Sequence, residues 1–338
     1  MWGGIVGLQR IGYFCYTMTY GMVQRSNSDA EGVVIPKMEK EIIQLLEERG
    51  PLTGSEIQEA TEGDVFLLWR FCMRSEALAV RTVGQRYLRL DRRIRGFARL
   101  SPSILREFLT YSVVGLATDQ TSLTERAHEI RSHIEQVTRT KSELAHGIFS
   151  AIATRLEDTS LMRRRACVII AGDVLYNMAH DIPRPERSTG RLVKGSDMDI
   201  VVVVDDLFPR PLIQELDQMI YHEKQALLMS PHLREEIDYV VKDMARVREQ
   251  LRFKTFRHKV ACKILAEGAS LYGSEALFST IKGMLGAAGI TERLMDLESR
   301  AQQFRLKAQR HLLQADARRM KEAYQYLFYP IEESEEFE

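Results

Sequence analysis

Cysteine is scarce in this chain of 338 residues: Cys15, Cys72, Cys167 and Cys262 are the four present, with no CxxC pair and no histidine at ligand spacing. That spacing argues against a zinc site or a disulfide framework and points to a reducing, cytoplasmic setting. Cys167 and Cys262 fall in apolar runs and read as small buried residues. Long hydrophobic runs are missing too. None approaches the ~20 residues that a membrane helix needs, so no membrane partner is expected. Nor is there an excess of one charge: Lys+Arg and Asp+Glu each total 47, so net charge names no class of partner. No internal repeat or low-complexity tract is visible.

What is present is ordinary globular material. Hydrophobic residues make up 45% and charged residues 28%, and the length suggests two or three domains with a sizeable core. The opening 36 residues are apolar, aromatic and Gly-rich, interrupted by Gln9 and Arg10. They lack a basic n-region and a small-residue cleavage site, so they are read as a disordered leader rather than a signal peptide.

From Met38 the pattern is regular. Ile42, Ile43, Leu45 and Leu46 form a helical stripe that stops at Gly50-Pro51. Thr53 with Glu56 three residues on has the spacing of a capping box. A third helix is expected over 62–75, with Val65, Leu68, Trp69 and Cys72 on one side. "ALAVRTVGQRYLRLD" then reads as two short strands folded about Gly84, a β-hairpin. Three short helices and a hairpin resemble a winged helix-turn-helix domain, assigned here to 37–117. "SPSILREFLTYSVVGLA" (101–117) reads as a capped apolar helix.

Between Arg74 and Arg106 stand nine arginines against Glu76 and Asp91. Arg81, Arg86, Arg89, Arg92 and Arg93 on the supposed wing would suit a polyanion, giving a nucleic-acid-binding expectation. The plainer readings are a solvated arginine face or a dock for the acidic tail "EESEEFE". A helix over 122–146, charged nearly all round, is expected to connect domains (118–147). His128, His133 and His146 on it have no partner at metal spacing and read as surface histidines.

After about residue 148 strands and helices alternate, which makes this half α/β or α+β (148–290). Strands are expected at Ala166–Ile170, at Asp199–Val204 and around Ile237–Val241, with an amphipathic helix at "LIQELDQMIYHEKQALLM". From Thr291 a long helix carries Leu294, Leu297, Ala301, Phe304, Ala308, Leu312 and Ala315 at steps of three and four. It opens a C-terminal helical region (291–338) ending in the acidic tail. Such a stripe is mostly intramolecular packing; a dimer or a partner protein through this helix is the other reading.

The chemistry sits in "KGSDMDIVVVVDD". Asp197 and Asp199, at i and i+2 at the mouth of a buried strand, project from one face about 6–7 Å apart. Such a pair repels unless a cation lies between, and it suits magnesium bound together with substrate phosphates. A polar, solvated strand entry is the plain alternative. Asp238, set among Ile237, Tyr239, Val240 and Val241, is costly to bury without a partner, and a metal site on the neighbouring strand would supply one.

These residues resemble the nucleotidyltransferase superfamily related to DNA polymerase β. "CVIIAGD" would be the first strand and its turn, "GSDMDIVVVV" the D-x-D strand and "IDYVV" the third-aspartate strand, a likeness covering about 148–280. The resemblance implies a mixed sheet with flanking helices, with Asp197, Asp199 and Asp238 as catalytic residues holding two Mg²⁺. It further implies an NTP, with ATP the expected one. Gly172, Asp173, Lys194, Gly195 and Ser196 would border the nucleotide, and Gly172 would let backbone approach the triphosphate.

Two departures stand out. Asp173 occupies the place of the family's turn serine. The interval from Gly172 to Asp197 is also longer than the family's, with "HDIPRPERSTGRLVKG" forming a basic flap or a plain surface loop. Three functions follow. The first is a Mg²⁺-dependent nucleotidyltransferase acting on a hydroxyl of a nucleic acid or protein. The second is a winged-helix nucleic-acid-binding regulator with a non-catalytic or nucleotide-sensing domain. The third is an antitoxin-like or defence component.

Overall fold

The structure, a computed structural model, describes residues 28–186, 189–314 and 322–329, with side chains from Met38 onward except at 322 and 323. Most of the expected leader, Arg187, Ala315 and the acidic tail lie outside the described residues. The chain divides into two units at Lys40. The described part of the first is the beginning of α1 (Ser28–Arg49); the second runs from Glu41 onward.

Within the second unit, α1 stops at Gly50, whose φ of +77° lies in the left-handed region that glycine enters freely. β1 (Leu52–Thr53) follows, and Thr53 then caps α2 (Gly54–Thr61). Thr53 Oγ1 accepts from the Glu56 amide at 3.2 Å, while Glu56 Oε2 accepts from the Thr53 amide at 2.7 Å. This is the reciprocal box that the spacing predicts. Asp64 caps α3 (Val65–Arg74), which buries Val65, Leu68, Trp69 and Cys72 as expected, and Phe66 as well.

Two expectations fail in the next segment. β2 (Leu78–Thr82) does not fold back about Gly84 onto β3 (Tyr87–Leu90). Instead β3 pairs with β4 (Ala98–Ser101), and β2 pairs antiparallel with β5 (Ser112–Leu116). The helix expected over 101–117 is only α4 (Ile104–Tyr111), capped by Ser103; the rest of the stretch is β5. The physical reason is Val113 and Val114. Both are wholly buried in the central strand of the sheet β1-β5-β2, where β-branched side chains pack better than on a helix.

The connecting helix, α5 (Gln120–Arg155), is longer than expected and crosses the residue-148 boundary. It is not polar all round, because Leu123, Ala127, Ile134, Ala145, Phe149 and Ile152 form a buried row. His128, His133 and His146 are exposed, as expected. α6 (Leu161–Arg165) leads into β6 (Ala166–Ala171), and α7 (Gly172–Leu175) follows immediately. The basic segment contains a small antiparallel pair, β7 (Pro183–Pro185) with β8 (Leu192–Lys194). β9 (Met198–Val204), α8 (Arg210–Met229), β10 (Ile237–Asp243), α9 (Met244–Gln250) and α10 (Phe256–Glu267) come next. The described chain continues through β11 (Ala269–Gly273), α11 (Glu275–Ala287), α12 (Ile290–Gln314) and α13 (Glu322–Phe328).

β10, β9, β6 and β11 form a mixed sheet in that order, with β9 and β10 parallel and the other two pairings antiparallel. The fold is therefore mixed α/β, with a long helix, α12, towards the C-terminus. Alternation along β9 sends Met198, Ile200, Val202 and Val204 to one face, where Phe149 and Ile152 of α5 and Leu216 and Ile220 of α8 cover them. Val201 and Val203 face the other way, towards Leu88, Leu90, Ala98 and Leu100 of the β3–β4 ribbon and residues of α9, α10, α11 and α12.

The C-terminal helices clasp the N-terminal elements. Arg305 of α12 is buried, donates to the Pro102 carbonyl at 2.9 Å and lies 3.4 Å from Glu107. Glu107 also holds Arg86, with Nη2 to Oε1 at 2.7 Å. Phe328 of α13 meets Phe66 edge-on with ring centroids 4.9 Å apart, and it lies 5.1 Å from Trp69.

Candidate metal centre

The two strands that carry the acids are adjacent and parallel, so their register fixes the site. Asp238 stands directly opposite Asp199, and Met198 opposite Ile237. Because side chains alternate, Asp199 and Asp238 share the face that Val201 and Val240 continue. Asp197 precedes β9 by one residue. One carboxylate oxygen from each of Asp197, Asp199 and Asp238 falls within 4.8 Å of the others, and all three residues are half-buried.

Three anions at this distance repel by about 3–4 kcal/mol per pair at an effective dielectric near 20, before any relief by solvent or counter-charge. A wholly buried valine contributes about 1.5–3 kcal/mol. The fully buried stretch Val201–Val204 therefore holds β9 in place against the strain at its mouth. Two cations relieve that strain. Arg184 of β7 lies 3.5 Å from Asp197 Oδ2, and Lys224 of α8 lies 3.8 Å from Asp238 Oδ1.

Arg184 is itself anchored: Nε donates to the Gly195 carbonyl at 2.7 Å, and Nη2 lies 2.8 Å from Glu236 Oε2. Glu236 is a further buried acid beside the cluster. Burial pushes its carboxyl above the ordinary range, Arg184 works against that, and Asp197 adds to it. An all-carboxylate donor set of this spacing fits a hard divalent ion such as Mg²⁺, with Arg184 and Lys224 now standing where positive charge is needed.

The turn after β6 is shaped around this cluster. Ala171 pairs with Asp199, and Gly172 then turns with φ +65° directly beneath the Asp199 carboxylate. A Cβ at Gly172 would lie 1.8 Å from Asp199 Oδ2, so side-chain bulk and that carboxylate position exclude each other. Gly195 is similarly constrained, with φ +60° and the His180 carbonyl 1.9 Å from where a Cβ would sit.

Asp173, the residue that departs from the resembled pattern, does not present a bare charge. Its Oδ1 accepts from the Tyr87 hydroxyl at 2.6 Å, and its Oδ2 accepts from Ser196 Oγ at 2.7 Å and pairs with Arg106. The Arg106 and Asp173 side chains are both about nine-tenths buried. Tyr87 also stacks on Tyr176, with centroids 4.0 Å apart and an interplanar angle of 9°. Burial, and then the charge of Asp173, push the Tyr87 phenol well above its ordinary value, so it stays a donor.

Of the residues expected to border a nucleotide, Gly172 lies against the acids, Gly195 supports Arg184, and Ser196 is joined to Asp173. Lys194 goes elsewhere: it is exposed, and its Nζ donates to the His232 carbonyl at 2.8 Å. The arginines of the N-terminal half are scattered. Arg81 donates to Thr124 Oγ1 at 2.6 Å, Arg86 is paired with Glu107, and Arg92 lies over the Phe256 ring at 4.9 Å. Arg89 is half-buried and Arg93 exposed, while Arg99 and Arg106 are buried.

Sequence reasoning placed Arg184 in a segment read as a basic flap or a plain surface loop and counted Arg106 among the arginines of the wing, but it gave Tyr87, Lys224 and Glu236 no role. Only contacts between distant segments reveal them. No family model, no curated protein and no solved structure matches this chain. Among the described residues no helix is long and apolar enough to cross a membrane.

Proposed function

We propose that the protein is a Mg²⁺-dependent nucleotidyltransferase that moves a nucleotidyl group from an NTP, ATP being the expected one, to a hydroxyl of an acceptor. The observation that carries this reading is the carboxylate triad. Asp199 and Asp238 face each other across a parallel pair, and Asp197 closes the group to within 4.8 Å. Asp197, Asp199 and Asp238 would hold the metal, which supplies charge stabilisation to a phosphoryl group and positions its oxygens.

The chain's own residues have definable tasks. Asp238, on the strand nearest the open edge, accepts the acceptor's proton or orients its hydroxyl. Gly172 leaves room for the Asp199 carboxylate, which a side chain there would displace, and so keeps that metal ligand in position. Arg184 lies within reach of any phosphate held at Asp197, and its planar fork matches a phosphate's oxygens. Asp173 keeps the turn in place rather than meeting phosphate, because Arg106 neutralises it and Tyr87 and Ser196 occupy its oxygens.

The N-terminal elements support a winged-helix reading of a particular kind. Their order α1-β1-α2-α3-β2-β5 and the sheet β1-β5-β2 fit a winged helix in which residues 83–111 are inserted between the last two strands. That insertion contributes Tyr87 and Arg106 to the site. The residues proposed for nucleic-acid contact are Arg81, Arg86, Arg89, Arg92 and Arg93, of which Arg86 is paired with Glu107, Arg81 donates to Thr124 and Arg92 lies over Phe256.

The deciding experiment incubates the protein with each labelled NTP, Mg²⁺ and candidate nucleic-acid and protein acceptors. Wild type is compared with Asp197→Ala/Asp199→Ala. Label transfer lost in the double variant supports the reading. Absence of transfer to every acceptor, together with absence of Mg²⁺-dependent NTP binding, sinks it.

A further inference from the structure

Beside the acids, at the open edge of β10, lies a cleft of about 380 Å³. Its floor is apolar, made by Val201 and Val240 with Val260 and Ile264 of α10. Val201 and Val240 each follow a site aspartate by two positions on the same strand face, so the floor continues directly from Asp199 and Asp238. Lys242 is next on that face. At ~3.3 Å per residue it stands about 13 Å along β10 from Asp238.

Lys242 is an incomplete ion. It is 7% exposed, and its Nζ donates to Gln250 Oε1 at 3.0 Å. An ammonium carries three donors, and among the described residues no carboxylate pairs with this one. One acid, Asp243, also lines the cleft and is committed to capping α9, accepting from the Arg246 amide at 2.8 Å. Two guanidinium groups, Arg246 and Arg257, line the same cleft. Burial drives the Lys242 ammonium down to about 8, and the nearby Arg246 charge pushes in the same direction. A buried cation is costly unless an anion completes it, and an oxyanion that accepts from both ammonium and guanidinium would do so.

We propose that this cleft is an oxyanion site, which receives the phosphate or carboxylate end of an elongated acceptor whose hydroxyl lies at Asp238. The assignment to the acceptor rests on the nucleotidyl-transfer reading, whereas the oxyanion site stands on the cleft and Lys242. The apolar floor between the two ends fits the carbon skeleton of such a molecule. Together they select an elongated acceptor whose hydroxyl and anion lie on the order of 10 Å apart, the scale of the four-residue interval from Asp238 to Lys242.

The test titrates the full chain with pyrophosphate and, separately, citrate by calorimetry in EDTA. Without metal, the carboxylate triad repels anions, so binding there does not compete with the cleft, and Lys242→Met distinguishes the cleft from the exposed arginines of the N-terminal elements. Wild type is expected to bind at least one of the two, with phosphate or carboxylate preference read from which is tighter. Lys242→Met should weaken that binding at least about 10-fold, the size expected for one charge-assisted contact. Arg257→Gln, at an exposed position that leaves the core intact, should weaken it several-fold. Asp197→Asn/Asp199→Asn should bind as tightly as wild type or tighter. No wild-type binding of either anion up to about 10 mM, or equal binding in Lys242→Met and wild type, overturns the site. A parallel measurement of Mg²⁺-dependent NTP binding separates the two layers. If it is absent while Lys242-dependent anion binding persists, the oxyanion site is upheld and its assignment to a nucleotidyl acceptor is overturned.

Discussion

The Tyr87 hydroxyl donates to Asp173 Oδ1 at 2.6 Å, joining the β3–β4 ribbon to the turn that ends β6 of the four-stranded sheet. Arg106 makes the same connection as an ion pair from α4. Removing one partner of a buried pair leaves an uncompensated charge. Arg106→Met is therefore expected to cost about 3–5 kcal/mol in chemical denaturation. In an Asp173→Asn background the same change should cost much less, because no charge is stranded, and a double-mutant cycle measures the difference. Tyr87→Phe should cost about 1–2 kcal/mol, as a hydrogen bond to a charged group does.

Metal binding should register as stability. A ligand present at 100 times its dissociation constant raises the unfolding free energy by about 2.7 kcal/mol, so Mg²⁺ or Mn²⁺ should lift the melting temperature of wild type. Asp197→Asn, Asp199→Asn and Asp238→Asn should each abolish that lift. Without metal, Asp199→Asn should melt no lower than wild type, because it removes repulsion from the cluster. A metal-induced rise that persists in all three variants would show that the ion binds elsewhere.

Gly172 tests the geometry independently of charge. Gly172→Ala combines a φ of +65° with a Cβ 1.8 Å from Asp199 Oδ2, so it should cost about 1–3 kcal/mol and displace that carboxylate. The expected signature is a folded protein whose melting temperature no longer responds to metal. Gly190→Ala, where nothing lies within 4 Å, should leave the metal response intact.

Lys242 should be a liability for stability. Lys242→Met replaces a buried charge by an apolar chain of similar size and is expected to stabilise by about 1–3 kcal/mol at pH 7. The pH dependence has a fixed sign. Burial lowers the folded value to about 8 from the ordinary 10.5, so between those limits the unfolded chain holds the proton and the folded chain does not. Wild type should gain stability as pH rises through that window, closing its gap to Lys242→Met. Below about 8 the gap should be constant. Only Gln250, Cys262 and Arg246 bear on this group among the described residues, so a widening gap would contradict the assignment.

The parts legible in the sequence were those written locally. Strand β9 was readable from its run of Val and Ile, and the facing of Asp197 and Asp199 from the two-residue period of any strand. Asp238 was conspicuous because a lone acid inside Ile-Asp-Tyr-Val-Val needs a reason. The Thr53–Glu56 box needed only a three-residue spacing. What stayed hidden depended on distant partners. β2 chose β5 over the nearer β3, a choice made by burial of Val113 and Val114 that no local pattern expresses. Asp173 looked like an obstacle to phosphate because its neutralising partner, Arg106, lies 67 positions upstream. Lys242 drew no notice, since a lysine at a strand end reads as exposed until α9 and α10 cover it.

The ribbon inserted between β2 and β5 also governs how the molecule can be taken apart. Leu88, Leu90, Ala98 and Leu100 cover one face of the four-stranded sheet, opposite Cys167, Ile169, Val201 and Val203. A cut near residue 117 would therefore strip that sheet of part of its cover and remove Tyr87 and Arg106 from Asp173. The expected product is an aggregating fragment rather than a smaller folded domain. Whatever the N-terminal elements bind, they are also a wall of the domain that carries the three aspartates, and their contribution has to be dissected by point substitution in the intact chain.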